Sequence, residues 1–288
     1  MSKHLVIPDT QCKEGVPLDH LTWAGKYIVD KKPDVVVMIG DFSDMESLSS
    51  YDVGKKSFEG RRYKVDIETA QKAMTLLLTP LWEFNAKAKK NHEARYTPRL
   101  VLTLGNHEDR ISRVIESDPK WDGVVSLKDL KYEEFGWEVV PYLQPIIIDG
   151  VCYCHYYPSG QMGRPTTSAR AIMQKMHMSC IAGHQQGRDI AYGKRADGKN
   201  ITTMIAGSFY LHNESYLSPM TNQHWRGIVV LHEVHEGQFD EMMVSISYLK
   251  KKYGKEMREV QSGETPPSVR KESFSEEWIS QRMSTLSV

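Results

Sequence analysis

Apolar runs alternate with a helical pattern at the start of the chain. Residues 4–8 form a short apolar run after His4, residues 18–31 place apolar side chains at helical spacing ahead of Pro33, and residues 34–40 are apolar after Asp34. A strand that is buried on both faces has this continuous apolar character. The spacing of strand, helix and strand predicts a βαβ unit with two parallel strands and a right-handed crossover.

A long helix and another buried strand follow. Residues 51–62 are polar and basic and predict a solvated loop. A helical pattern then runs over 65–92, where Pro80 predicts a kink or two separate helices. The apolar run 99–104 predicts a strand, and the next helix is expected over 107–116.

Strand patterns dominate the second half of the chain. Asp149-Gly150 lies between two apolar runs and predicts a hairpin turn. A helical pattern covers 165–178, and the signals after residue 185 favour antiparallel strands. The predicted strands are 137–142, 145–149, 151–155, 179–184, 189–192, 201–206, 226–233 and 241–248.

Composition and charge exclude few classes of protein. The 288 residues include 37 Lys+Arg and 37 Asp+Glu, which argues against strong tethering to a polyanion but leaves a local basic groove possible. Since there is neither a signal-peptide pattern nor an apolar run of membrane-spanning length, we expect a soluble cytoplasmic protein with no membrane partner. Four cysteines without CxxC pairs are expected to be small buried residues. They are Cys12, Cys152, Cys154 and Cys180.

Candidate chemistry lies where the predicted strands end. Asn106 and His107 follow the strand 99–104, and carboxylate, amide or imidazole groups follow four other strands. Ligands of open α/β sheets bind at this carboxyl edge. Such groups at five strand ends suit two metal ions that share a bridging carboxylate. The residues are Asp9, Gln11, Asp41, Asp44, Asn106, His107, His155, His184 and Gln186.

The motifs resemble those of the calcineurin-like metallophosphoesterase superfamily, especially its phage-encoded and bacterial members. The superfamily carries Asp-x-His, Gly-Asp-x-x-Asp/Asn, Gly-Asn-His-Asp/Glu, a lone His and Gly-His-x-His, in this order. This chain carries Asp9-Thr-Gln11, Gly40-Asp-Phe-Ser-Asp44, Gly105-Asn-His-Glu108, His155 and Gly183-His-Gln-Gln186. The resemblance spans residues 5 to about 245.

The resemblance implies an α/β fold with four layers, in which two mixed β-sheets pack face to face and are flanked by helices. Residues 1–250 would form the metallophosphoesterase domain. Residues 251–288 are polar and rich in Lys, Glu and Ser, and we expect them to form a loosely held C-terminal tail.

The resemblance also implies a set of metal ligands. Asp41 would bridge two divalent cations, and the nucleophile would be an activated hydroxide. One cation would be completed by Asn106, His155 and His184, and the other would be surrounded by Asp9, Gln11 and Gln186.

Two glutamines depart from the family pattern. Gln11 and Gln186 stand where the family has histidines, and both belong to the same metal position. Oxygen ligands alone suit Mn²⁺ or Mg²⁺ better than zinc or iron. We therefore expect two divalent ions, Mn²⁺ foremost, with Mg²⁺, Ni²⁺ or Zn²⁺ as alternatives. The competing interpretation is a degenerate position that leaves a single, weakly bound metal.

Two catalytic residues follow from the same resemblance. His107 would stabilise or protonate the leaving oxygen, and Asp44 would orient and charge it. Arg110 is a candidate for binding a substrate phosphate, as is Arg113, although on a helix both could instead pair with Glu108 or Glu116.

The resemblance implies an enzyme that hydrolyses phosphate esters. The first hypothesis is a phosphodiesterase or nuclease that acts on nucleic acid or nucleotides. If the chain is phage-encoded, its expected location is the host cytoplasm. A phosphomonoesterase for a small nucleotide or phosphoprotein is one alternative. A catalytically silent binding protein is another. A nuclease needs a groove that follows several phosphates, and clustered basic residues would provide one. The candidates are Lys55, Lys56, Arg61, Arg62, Arg164, Arg188, Lys194 and Arg195.

Overall fold

Two mixed β-sheets and several helices make up the α/β structure in the computed structural model, which describes residues 1–214 and 216–254. The strands are β1 (Ser2–Ile7), β2 (Val35–Met38), β3 (Arg99–Thr103), β4 (Glu138–Val140), β5 (Ile146–Ile148), β6 (Val151–Tyr153), β7 (Pro158–Ser159), β8 (Arg164–Pro165), β9 (Cys180–Ala182), β10 (Arg188–Lys194), β11 (Asn200–Ala206), β12 (Gly227–His235) and β13 (Gln238–Ser245). The α-helices are α1 (Asp19–Lys31), α2 (Tyr63–Lys90), α3 (Arg110–Ser117), α4 (Ala169–Met176) and α5 (Ile246–Tyr253).

The first sheet has the strand order β13-β12-β1-β2-β3-β4. Strands β1, β2, β3 and β4 run parallel, and β12 and β13 add antiparallel strands at one side. Strand β2 is buried along its whole length, as its uninterrupted apolar sequence predicts. The predicted βαβ unit is confirmed, because β1, α1 and β2 follow one another and the two strands pair in parallel.

The second sheet has the order β10-β11-β9-β6-β5. Its strands β6, β9 and β11 are parallel neighbours, whereas β5 and β10 pair antiparallel at the two edges. The predicted hairpin joins β5 to β6, and Asp149 and Gly150 both have positive φ, as its tight turn requires.

Side chains that alternate along each strand divide the apolar residues among three clusters. Leu5 on β1 joins a cluster with α1, α2 and α5, whereas its neighbour Val6 joins a cluster that also contains Met204 of β11. The second cluster therefore lies between the two sheets. On the far side of the second sheet, Cys152 packs with Ile172 of α4. All four cysteines are buried free thiols, as predicted.

Helix α2 is continuous across Pro80, so the prediction of two separate helices is wrong. A proline within a helix removes one backbone hydrogen bond. Here the buried face of α2, which includes Leu77 and Leu81, packs against α1. Gly25 of α1 allows this close approach, because a Cβ at that position would lie 2.2 Å from the Leu77 carbonyl oxygen. The packing of α2 against α1 thus outweighs the loss of a backbone hydrogen bond at Pro80.

The last predicted strand, 241–248, is wrong at its end, because β13 ends at Ser245 and α5 begins at Ile246. Lys252 and Tyr253 of α5 each donate a hydrogen bond of 2.6 Å to Asp30 of α1. The predicted boundary after residue 250 therefore falls within a helix that is docked on the sheet domain. The rest of the predicted tail, residues 255–288, lies outside the described residues. No helix in the described ranges is long and apolar enough to cross a membrane.

We predict that Gly25→Ala destabilises the protein by about 1–3 kcal/mol, because the new methyl group must push α2 away from α1. Urea unfolding at neutral pH will measure this. Gly187→Ala is the matched control, since nothing lies within 4 Å of its added Cβ. An unchanged unfolding midpoint for Gly25→Ala would contradict the close packing described here.

Candidate metal centre

Three parallel strands of the first sheet deliver three candidate ligands to one edge. Asp9 follows β1, Asp41 follows β2 and Asn106 follows β3. The turns are joined by backbone hydrogen bonds, such as that from Gln11 N–H to the carbonyl oxygen of Asp41 at 2.9 Å. Gly105 permits the close approach, because a Cβ there would lie 2.1 Å from Asp41 Oδ1.

The second sheet delivers two histidines to the same place. His155 follows β6 and His184 follows β9, and these strands are parallel neighbours. The Nδ1 atom of His155 lies 2.9 Å from the carbonyl oxygen of Ile39 and donates to it across the sheets. This bond fixes the imidazole tautomer and turns Nε2 toward the carboxylate of Asp41, a common arrangement for metal-binding histidines.

Ligand atoms from both sheets converge at one point. Asn106 Oδ1 lies 3.0 Å from His155 Nε2 and 2.7 Å from His184 Nδ1, and Asp41 Oδ2 lies 3.3 Å from His155 Nε2. Ligands at about 2.1 Å from one cation lie about 3 Å from each other. The spacing, together with the imidazole and carboxylate donors, therefore fits a divalent cation.

The residues that the resemblance implies for a second cation offer oxygen atoms. Asp9 is fully buried; its Oδ1 accepts from the His184 backbone N–H at 3.1 Å, while its Oδ2 has no hydrogen-bond partner among the described residues. Such an atom is costly unless a cation or proton satisfies it. Gln11 and Gln186 turn their amide oxygens to the hydroxyls of Tyr216 (3.4 Å) and Tyr210 (2.8 Å). An amide oxygen has two lone pairs, so one remains for a cation.

His107 and Asp44 form a buried pair beside these ligands. His107 Nδ1 lies 2.8 Å from Asp44 Oδ1, and His107 Nε2 lies 3.7 Å from Asp41 Oδ2. The His107 backbone N–H donates to Asp41 Oδ1 at 2.9 Å. The imidazole is thus held by one carboxylate while its other nitrogen faces the metal-binding edge.

Burial and neighbouring charges shift the pKa values of these groups in opposite directions. Burial lowers the pKa of His107 and His155, but nearby carboxylates outweigh it, so that of His107 is raised and that of His155 rises to about 9. Burial would raise the pKa of Asp41, but both imidazoles hold it well below its usual range. Burial raises the pKa of Asp9 to about 7. Without metal, protons therefore occupy part of the ligand set at neutral pH.

The side chain of Glu108 holds together the turns that follow β2 and β3. Its place in the motif did not indicate this role. Its buried carboxylate accepts from the backbone N–H groups of Asp41 (3.1 Å), Ser43 (2.9 Å) and Gly105 (2.9 Å). Helix α3 begins at Arg110 rather than at residue 107, because Glu108 belongs to this turn.

The two arginines of α3 bond to other groups than the glutamates considered from the sequence. Arg110 donates to the backbone oxygen of Asp44 at 2.7 Å, and its other terminal nitrogen lies 3.3 Å from His107 Nε2. Arg113 pairs with Asp109 at 2.8 Å and donates to the Asn106 backbone oxygen. The alternative of pairing with Glu108 or Glu116 is therefore not what the structure shows, whereas the phosphate-binding role of Arg110 and Arg113 stays a prediction.

A buried lysine behind the His107–Asp44 pair was missed by the sequence reasoning. Lys13 Nζ donates to Asp44 Oδ2 at 2.8 Å and to Glu214 Oε2 at 2.8 Å. Glu214 also lies 2.6 Å from His212 Nε2. Lys13 has no periodic pattern around it, and its partner Glu214 lies about 200 residues further along, so no local signal could have indicated the pair.

The site opens into a cleft of about 690 Å³. Of the eight basic residues considered for a groove, Lys55 and Arg61 line it, and both pair with Asp52, at 2.8 and 2.9 Å. The other six do not line the cleft that the described residues form. The lining residues are Gln11, Lys13, Asp41, Asp44, Glu46, Ser49, Tyr51, Asp52, Lys55, Ser57, Arg61, Asn106, His107, Arg110, His184, Gln186, Glu214 and Tyr216.

Comparison with known proteins finds solved structures of low sequence identity. No protein-family model and no curated protein matches the chain. One solved structure is 13% identical, covers 85% of this chain and 99% of its own, and has a TM-score of 0.35. The crystal structure of TT1561 of Thermus thermophilus is 7% identical with the same coverage and a TM-score of 0.34. The function of this chain is therefore inferred from its site.

We predict that Glu108→Gln lowers the free energy of unfolding by about 1–3 kcal/mol, because an amide NH₂ group would face backbone N–H donors. Urea unfolding of the metal-free protein will measure it. Glu116→Gln on the exposed face of α3 serves as the control. Equal stability of the two variants would show that the glutamate is dispensable.

We predict that Mn²⁺ binding releases protons at pH 7. His155, with a pKa of about 9, must lose its proton before Nε2 can bind a cation. The affinity for Mn²⁺ should rise between pH 7 and pH 9 by at most about tenfold per pH unit, because one proton is released, and it should level off above pH 9. Titration calorimetry in buffers of different ionisation enthalpy measures the release. Affinity that is independent of pH across this range would contradict the prediction.

Proposed function

We propose that the protein is a metal-dependent phosphoesterase of the calcineurin-like metallophosphoesterase superfamily, acting as a phosphodiesterase on nucleotides or nucleic acid. The observation that carries the proposal is the adjacency of two different kinds of group in one cleft. A set of cation ligands centred on Asp41 lies next to His107, whose imidazole is held by a buried carboxylate. Phosphate ester hydrolysis by two metals needs both.

The layering of the molecule supports the same assignment. Helices α1, α2 and α5 cover the outer side of the first sheet, an apolar cluster fills the space between the sheets, and α4 covers the second sheet. This order is the one that the four-layer fold of the superfamily requires. The motif residues also follow the strands on which the resemblance expects them.

The ligand set divides into two positions that share Asp41. Asn106, His155 and His184 would complete the first, and Asp9, Gln11 and Gln186 would complete the second. When bound, two divalent cations would supply positive charge for the phosphoryl oxygens and an activated hydroxide as nucleophile. Because the second position offers oxygen atoms alone, we propose that it favours Mn²⁺ or Mg²⁺.

His107 would deliver a proton to the leaving oxygen. Burial would lower its pKa, but the carboxylates of Asp41 and Asp44 raise it and so favour the protonated imidazole, and Nε2 is the nitrogen that faces the ligands. Asp44 fixes the ring through Nδ1 and stabilises its positive charge. Burial would raise the pKa of Asp44, but His107 and then Lys13, which donates to its second oxygen, hold that pKa well below its usual range, so the carboxylate stays ionised. Arg110, which reaches into the cleft beside His107, would bind a non-bridging phosphate oxygen.

We predict that the metal-stripped protein hydrolyses bis(4-nitrophenyl) phosphate when Mn²⁺ is restored, and that His107→Ala lowers kcat for diphenyl phosphate, whose more basic phenolate leaving group needs a proton, by about 100- to 10,000-fold through loss of general-acid catalysis. The matched control is His235→Ala, whose side chain is 62% exposed on β12. A spectrophotometric assay at saturating substrate measures kcat.

Three results would change the assignment. A strong preference for 4-nitrophenyl phosphate over the diester would indicate a phosphomonoesterase. If the His107→Ala variant kept the wild-type rate, His107 would not be the general acid. No hydrolysis of either ester with Mn²⁺, Mg²⁺, Ni²⁺ or Zn²⁺ would contradict the enzyme proposal and favour a binding protein.

A further inference from the structure

Two tyrosines stand exposed at the mouth of the metal-binding cleft. Tyr51 is 81% exposed and Tyr216 is 62% exposed, yet both line this cleft. The hydroxyl of Tyr216 lies 3.4 Å from Gln11 Oε1, which fixes one end of its ring beside the second cation position. The cleft therefore has aromatic surface at its rim and phosphate-binding chemistry at its floor.

The charges of the cleft are unsuited to a long polyanion. Each of the four cations among its described lining residues already contacts a carboxylate of the same cleft: Lys13 and Arg110 contact Asp44, and Lys55 and Arg61 contact Asp52. A protein that follows many phosphates needs cations free to neutralise them. Recognition beyond the reacting phosphate must therefore come from other groups.

We propose that the cleft takes a short nucleotide, with one phosphate ester at the metal centre and its nucleobase stacked on Tyr51 or Tyr216. The proposal rests on the phosphoesterase function for its phosphate end and goes beyond it in naming how the rest of the substrate is recognised. Every base has a π-face, so stacking on tyrosine accepts any nucleobase. A cleft of about 690 Å³ has room for a ligand of this size.

A pair of chromogenic diesters separates base recognition from phosphate chemistry. The first is the 4-nitrophenyl ester of thymidine 5′-monophosphate, and the second is methyl 4-nitrophenyl phosphate, which has no base. With Mn²⁺ present, kcat/KM should be roughly five- to 100-fold higher for the nucleotide ester, the range that stacking of one base provides.

Tyr51→Ala tests the aromatic rim, because Tyr51 lies outside the ligand set. It should lower kcat/KM for the thymidine ester at least about threefold, chiefly through KM, and leave the methyl ester unchanged. Tyr216→Phe should retain the base preference that Tyr216→Ala reduces. Tyr248→Ala, an exposed tyrosine on α5, is the control and should change neither substrate.

Equal kcat/KM for the two esters, or a base preference that survives both alanine substitutions, would overturn the proposal. Hydrolysis of neither ester would instead refute the phosphoesterase function. In that case, the affinities for thymidine 5′-monophosphate and deoxyribose 5-phosphate, measured by calorimetry, would test base recognition separately, since only the first ligand has a base. Tighter binding of a 20-nucleotide strand than of the mononucleotide, with a steep salt dependence, would also overturn it.

Discussion

The buried carboxylate of Asp41 is the group on which the arrangement of the site depends. Its Oδ1 accepts the backbone N–H of His107, and its Oδ2 faces Nε2 of His155. Placing an ionised carboxylate in the interior is costly unless opposite charge and hydrogen bonds surround it. In the metal-free protein, the protonated imidazole of His155, whose pKa is raised to about 9, supplies that charge. A divalent cation at His155 would replace this proton, so metal binding and protonation compete for one place.

This need for compensating charge explains why the site combines side chains from both sheets. The first sheet contributes carboxylates and an amide from parallel strand ends, and the second contributes imidazoles from β6 and β9. The apolar cluster between the sheets fixes their separation. The hydrogen bond from His155 to the Ile39 backbone then crosses that interface directly beside the site. Ligand geometry is thus a consequence of how the two sheets pack.

The positions of the residues that follow the strands could be predicted, because they depend on the local sequence pattern. Continuous apolar runs locate β2 and β3, and the polar residues that follow, Asp41 and Asn106, have only one edge of the sheet to occupy. The helical segment 246–253 was predicted in part as strand, since its apolar positions suit either period over so few residues. The continuity of α2 through Pro80 depends on packing against α1, which the sequence of α2 alone does not contain.

The parts of the site that escaped prediction are those made by contacts between distant segments. Lys13 bridges Asp44 and Glu214, and the amide oxygens of Gln11 and Gln186 are held by tyrosine hydroxyls from another loop. Nothing in the neighbouring sequence marks these partners. Their positions follow only from the fold, as does the pairing of the basic residues around the cleft with its own carboxylates.

Anomalous X-ray diffraction from crystals soaked in Mn²⁺ tests the central claim most directly. The account predicts a manganese peak coordinated by Asp41, Asn106, His155 and His184, and a second, more weakly occupied peak near Asp9, Gln11 and Gln186. A peak at the first position alone would establish a single-metal centre and remove the second position. Manganese bound elsewhere, with Asp41 still paired only to the two imidazoles, would contradict the account.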